Sequence, residues 1–152
     1  MDLENAYDKI YRYVYFKLKN QTIAEDITQE TFLRFISKNG SLHDYEIRYL
    51  YAIARNLCID EYRRVKPDPL PEDYDVRLPR VNDNSEEIMI VREALAKLPV
   101  EDQEILLLRH VNKEPVGTIS KALQISRFAV YRRLKGAEEG FRNFWRQMND
   151  EE

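Results

Sequence analysis

Val116-Gly117-Thr118-Ile119-Ser120-Lys121-Ala122-Leu123-Gln124-Ile125-Ser126-Arg127-Phe128-Ala129-Val130-Tyr131-Arg132-Arg133-Leu134-Lys135 decides how the C-terminal part of this chain folds. Val116, Ile119 and Leu123 recur at three and four residues, the spacing of one helical face. Gln124-Ile125-Ser126 then breaks the pattern. Ser126 is a good residue to start a new helix, because its hydroxyl can accept from a first-turn amide. Beyond it Val130, Leu134, Ala137 and Phe141 repeat at four, three and four. Two short helices crossing through a brief turn form a helix-turn-helix. With Val130 pointing inward and about 100° per residue, Phe128, Arg132 and Lys135 project outward, flanked by Arg127, Ala129 and Tyr131. Residues 126–135 carry four basic side chains and no acidic one. The first turn adds free N–H groups and the positive end of the helix dipole. A helix fits the major groove, where arginine reaches both guanine acceptors. This segment therefore has the makings of a DNA-recognition helix, with Glu138 and Glu139 confining contact to about its first three turns.

Working outward, helical periodicity covers most of the remaining chain. Ala6, Ile10, Tyr13, Val14 and Leu18 predict a helix over about 4–19. Thr22-Ile23-Ala24-Glu25 has the form of a capping box, opening a helix to about Ser37, with Asn39-Gly40 as its stop. Helices are predicted over about 46–65, from a Ser85 cap to Leu98, from Asp102 to about Val111, over about 115–123, and over about 127–146. Alternating strand patterns are missing.

Residues 67–87 differ. They hold seven acidic and two basic residues and four of the six prolines, whereas 1–66 and 88–152 each hold 10 acidic and 11 basic. Proline removes donors and disfavours helix before it, and like charge extends a chain. The expected architecture is all-α: two small helical domains, 1–66 and 88–148, joined by an acidic, proline-containing linker at 67–87. The second would be a four-helix helix-turn-helix domain.

Composition excludes several function classes. One cysteine, Cys58, precludes an internal disulfide and a cysteine-based zinc cluster, and it reads as a buried helical thiol. Two histidines, His43 and His110, and four glycines leave no metal site and no phosphate-cradling loop. The expectation is no enzyme activity, no metal and no cofactor. No apolar run approaches the roughly 20 residues of a membrane span, and the acidic start lacks a secretion signal, so no membrane insertion and a cytoplasmic location are expected.

The N-terminal block carries two further faces. On the helix from Thr22, Ala24, Ile27, Thr31 and Phe35 lie on one side, and Asp26, Gln29, Glu30 and Leu33 on another. The second stripe, acidic with one apolar residue, suits a protein partner presenting a basic or mixed helix; taken by itself it reads equally as a solvated acidic face. The helix from about 46 has Leu50, Ile53, Ala54 and Leu57 as its expected core stripe. Arg48, Arg55, Arg63 and Asn56 oppose it, interleaved with Tyr49, Tyr51 and Tyr62. Basic groups attract a phosphate backbone and aromatic faces stack on unpaired bases. A place at the core margin, hydroxyl in water, is the preferred reading for Tyr62.

Ala24-Glu25-Asp26-Ile27-Thr28-Gln29-Glu30-Thr31-Phe32-Leu33-Arg34 resembles the core-binding helix of bacterial RNA polymerase sigma factors. Tyr49-Leu50-Tyr51-Ala52-Ile53-Ala54-Arg55-Asn56, with Asp60 and Arg63-Arg64, is similar to the promoter-melting helix of the extracytoplasmic-function (ECF) group. Ala94-Leu95-Ala96-Lys97-Leu98-Pro99 followed by Gln103-Glu104-Ile105-Leu106-Leu107-Leu108-Arg109 resembles the entry to that family's fourth region. Gln124 departs from the family, which usually has glycine in the turn, and Tyr49 stands where tryptophan is frequent.

The resemblance implies a dissociable promoter-specificity subunit for transcription initiation, with core RNA polymerase and promoter DNA as partners. It implies core-polymerase docking through Asp26, Gln29, Glu30, Phe32 and Leu33. It places minus-ten element contacts at Asn39, His43, Tyr45, Arg48, Tyr49, Arg55, Asn56 and Arg63, and minus-thirty-five contacts at Ser126, Arg127, Phe128, Tyr131, Arg132 and Lys135. An anti-sigma factor is a further implied partner class. Blocks of net charge near +1 predict weak DNA binding by the free chain, since phosphate contacts dominate nonspecific affinity. Two other readings remain open at this point: a helix-turn-helix regulator that binds DNA alone, and a sigma-like decoy that does not start transcription.

Overall fold

The computed structural model describes residues 3–39, 47–64 and 92–150, and every regular element among them is helical. They fall into two compact units. The first holds α1 (Leu3–Leu18), α2 (Gln21–Asn39) and α3 (Ile47–Arg64). The second holds the described part of α4 (92–96), α5 (Val100–Leu106) continued by a π-helical turn (Leu107–Val111), most of α6 (Val116–Leu123), and α7 (Arg127–Asp150). The expected linker 67–87 and the Ser85 cap lie outside the described residues, as do His43 and Tyr45. No helix among the described residues is long and apolar enough to cross a membrane.

In the first unit each helix packs against the other two. The core is filled by Ala6, Ile10, Tyr13 and Val14 of α1, by Ala24, Ile27, Phe32 and Phe35 of α2, and by Ile47, Leu50, Tyr51, Ala54 and Cys58 of α3. Each large apolar side chain so placed contributes about 1.5–3 kcal/mol. Thr28 and Thr31 are also buried, and each hydroxyl donates to the carbonyl four residues back, Ala24 at 2.7 Å and Ile27 at 2.8 Å. That bond satisfies a polar group that would otherwise be costly to bury.

The α1–α2 corner corrects the expected cap. Lys19 closes α1 in the left-handed region, φ 54°, its N–H donating to the Tyr15 carbonyl at 2.7 Å. Asn20 then caps α2, its Oδ1 accepting from the Ile23 N–H at 2.9 Å. Thr22 sits inside the first turn instead of starting it. Asparagine is as strong an N-cap as threonine, and the early end of α1 makes Asn20 the first residue able to serve.

The core stripe of α3 is corrected too. Ile53 and Leu57 are only half-buried, while Ile47, Tyr51 and Cys58 join Leu50 and Ala54 inside. Tyr51, expected among the exposed aromatics, is fully buried and meets Tyr13 edge-on, with ring centroids 5.5 Å apart. Edge-to-face pairs of this kind are favoured by the ring quadrupoles.

In the second unit α5 begins at Val100, earlier than the expected Asp102. The Pro99 carbonyl accepts from the N–H groups of both Asp102 and Gln103 at 3.0 Å. The Gln103 side-chain amide donates back to the Leu98 carbonyl at 2.9 Å, closing the Leu98-Pro99 corner. Leu98 in turn lies against α7 at Gly140, where an added Cβ would stand 2.9 Å from Leu98 Cδ2. The plain helix expected to Val111 instead widens after Leu106. The N–H groups of Asn112 and Glu114 reach the carbonyls of Leu107 and Leu108, both at 2.9 Å, and Lys113 turns the chain at φ 57°. Arg109 Nη1 donates to the Glu114 carbonyl at 3.1 Å and ties this exit together.

Candidate nucleic-acid interface and protein-docking face

The helix-turn-helix is built by local bonds. α6 ends at Leu123, and Gln124 takes a left-handed conformation, φ 58°. The Ile125 N–H donates to the Ser120 carbonyl at 3.1 Å, and the Ser120 hydroxyl donates to the Ile125 carbonyl at 2.6 Å, so one serine clamps the turn from both directions. Ser126 caps α7 as expected, its Oγ accepting from the Ala129 N–H at 3.0 Å. With its hydroxyl so engaged, Ser126 has a structural task.

These bonds fix the face that α7 presents. Val130, Leu134 and Ala137 are buried, and Arg127, Phe128, Tyr131, Arg132 and Lys135 are all exposed, as the periodicity predicted. Phe128 is 74% exposed, and the Arg132 guanidinium lies over its ring, 5.7 Å from the centroid. The Arg127 guanidinium lies by Gly117 at the start of α6, so close that a Cβ there would come to 3.0 Å of Nη2. Glu138 is held at 2.8 Å by His110 Nε2 of the π turn, which gives this late acidic residue a partner within the unit.

α3 presents a second polar face. Tyr49, Asn56 and Arg63 are exposed and Arg48 and Arg55 half-buried, and at about 100° per residue these five share one side. The Arg48 guanidinium sits 5.0 Å from the Tyr49 ring centroid, with Nη2 donating to the Tyr49 hydroxyl at 3.3 Å. Tyr62, given a marginal place by the sequence, is 60% exposed. Asn39 is the last residue of α2.

The acidic stripe of α2 forms in part. Asp26, Gln29 and Leu33 are exposed, Leu33 at 61%. Glu30 pairs with Arg34 one turn on, at 2.9 Å; such exposed pairs contribute about 0–1 kcal/mol and open readily. Phe32 departs from its expected docking role: it is buried and stacks on Tyr7, ring centroids 5.7 Å apart, so it fills the α1–α2 core. Ile36, which the sequence reading passed over, is exposed one helical step beyond Leu33 and extends the apolar part of this face. Its i+3 spacing from Leu33 was the available signal.

Two family descriptions match the chain: sigma-70 region 2 over residues 3–67 and sigma-70 region 4 over residues 88–139. The chain belongs to the sigma-70 family and is similar to its ECF sigma factors. The ECF RNA polymerase sigma factor SigE of Mycolicibacterium smegmatis is 30% identical over 158 residues, covering 95% of this chain and 60% of that protein. The ECF RNA polymerase sigma factor SigW of Bacillus subtilis is 28% identical over 176 residues, covering 97% and 89%. This sigma-70 chain thus spans less than two thirds of the first relative's length and most of the second's. Among solved structures, the sigma factor RpoE in complex with the anti-sigma factor NepR, from Bartonella quintana, matches with a TM-score of 0.70 at 13% identity, covering 95% of this chain and 94% of that one, a likeness of fold. The region 2 match contains α1–α3, and the region 4 match stops at Glu139, leaving the last part of α7 beyond it.

Proposed function

We propose that this chain is an ECF-type promoter-specificity subunit that directs RNA polymerase to begin transcription. The observation that carries the reading is the outward face of α7: a capped helix of a helix-turn-helix whose first three turns expose Arg127, Phe128, Tyr131, Arg132 and Lys135 with no acidic side chain among them. This face reads the upstream, minus-thirty-five element. Arg48, Tyr49, Arg55, Asn56 and Arg63 of α3 engage the minus-ten element as it opens. Extruding a base from the stack costs a few kcal/mol, which stacking on Tyr49 and charge from the arginines offset. Asp26, Gln29, Glu30 and Leu33 of α2 dock on core polymerase, and Leu33 supplies the apolar anchor. An anti-sigma factor covering the α2 face is the expected inhibitory partner. In this division of labour the chain works in the cytoplasm and the bond-forming chemistry belongs to the polymerase.

The test is promoter-specific transcription in vitro with core polymerase, paired with a pull-down of core by the purified chain. Arg132→Ala should weaken upstream recognition and leave polymerase binding intact, whereas Leu33→Asp should abolish polymerase binding. Identical phenotypes for the two variants, or no association of the wild-type chain with core, would refute the assignment.

A further inference from the structure

An aromatic ring left 74% exposed on the first turn of α7 takes almost none of the stabilisation that burial of an apolar side chain brings to the fold. Phe128 has no role in the core, whose α7 contribution is Val130, Leu134 and Ala137. Nor does it cap the helix, which Ser126 does. Its one described side-chain contact is with Arg132, the guanidinium 5.7 Å from the ring centroid. The surrounding face is basic, so the surface that meets it is polyanionic. In a duplex major groove the apolar group available to a phenyl ring is the C5-methyl of thymine.

We propose that Phe128 reads the thymine C5-methyl group of an A·T pair in the upstream element, with Arg132, held against the same ring, as the neighbouring polar reader. This rests on the assignment of α7 to upstream-element recognition and specifies which base it prefers. Phe128 and Arg132 are four residues apart, about 6 Å along the helix, so they address base pairs within about two steps of one another. Contact with a methyl group is shape-dependent and uncharged. It therefore discriminates bases without adding to the salt-dependent phosphate attraction supplied by Arg127 and Lys135.

The experiment uses the holoenzyme assembled from the full chain and core polymerase. An upstream element is first selected from promoter duplexes randomised in that region, and each thymine in it is then replaced singly by deoxyuridine, which removes only the methyl group. One replacement should weaken wild-type binding about four-fold, the equivalent of one buried methylene. The same replacement should have no effect on the Phe128→Ala holoenzyme. Phe128→Leu, which retains an apolar side chain, should keep part of the sensitivity. A selected element without any A·T pair, a wild-type holoenzyme indifferent to every deoxyuridine, or undiminished sensitivity in Phe128→Ala would overturn the proposal. Scrambling the whole element separates the two levels. If scrambling abolishes binding while deoxyuridine does not, α7 reads the element but Phe128 does not read methyl groups. If scrambling has no effect, the assignment of α7 fails and takes this inference with it.

Discussion

Replacing Gln124 by glycine should stabilise the helix-turn-helix. Gln124 occupies the helix-turn-helix corner at φ 58°, is exposed, and would lose no buried contact on truncation. A side-chain-bearing residue in the left-handed region is strained by roughly 1–2 kcal/mol because its Cβ crowds the following carbonyl. Glycine escapes that strain but loses about 0.5–1 kcal/mol more backbone entropy on folding. The net gain is about 0.5–1 kcal/mol, which for a unit of about 60 residues raises the thermal midpoint by roughly 2–8 °C. Trp145 makes the measurement specific, since it is the single tryptophan of the chain and lies in α7, stacked on Phe141 with centroids 6.3 Å apart. Its fluorescence on heating or in urea follows the second unit without requiring the whole chain to unfold in one step. Gln124→Ala keeps the strained backbone and should stay near wild type. Gln124→Val, branched at the crowded carbon, should lower the midpoint. A glycine variant no more stable than the alanine variant would refute the claim that this turn stores strain.

Ser126→Ala removes the hydroxyl that accepts from Ala129 and should cost about 1 kcal/mol, read by the same tryptophan signal. Tyr51→Ala, which empties a fully buried site against Tyr13, should destabilise the first unit by about 3–5 kcal/mol in circular-dichroism melts, while Tyr49→Ala should change stability by less than about 0.5 kcal/mol and lower the yield of open promoter complex in permanganate footprinting. The phenol of Tyr11 is pushed above its ordinary value of 10.0 by burial first, then by the carboxylate of Glu25 and by Tyr15 and Tyr7. The folded state therefore holds this proton more tightly than the unfolded one, so the associated stability is complete below about pH 10 and falls as pH rises through the folded value. Tyr11→Phe should flatten that alkaline decline in urea titrations, and an unchanged slope would count against it.

The helical layout and the orientation of α7 were legible in the sequence because both depend on local spacing. Val130 and its partners alternate with Phe128, Arg132 and Lys135 strongly enough to fix which side faces in. The Ser126 cap was legible for the same reason. What escaped depends on partners distant in sequence. The buried stripe of α3 is turned by about 65° from the expected one, because Tyr51 finds Tyr13 of α1, and nothing within α3 reveals that. Phe32 fits the docking motif by type, yet Tyr7 takes its ring into the core. At the start of α2, asparagine and threonine two positions apart both satisfy the rules for a cap, and the choice fell to Asn20 because α1 stops at Leu18. The π turn after Leu106 carries no periodic signature of its own, since its leucines continue the helical pattern through it.

Gly117, on the first helix of the helix-turn-helix, leaves room for the Arg127 side chain. Any larger residue there would crowd the guanidinium and turn it toward a new direction. A substitution on α6 thus redirects the first basic side chain of the exposed α7 face while leaving α7 itself unaltered.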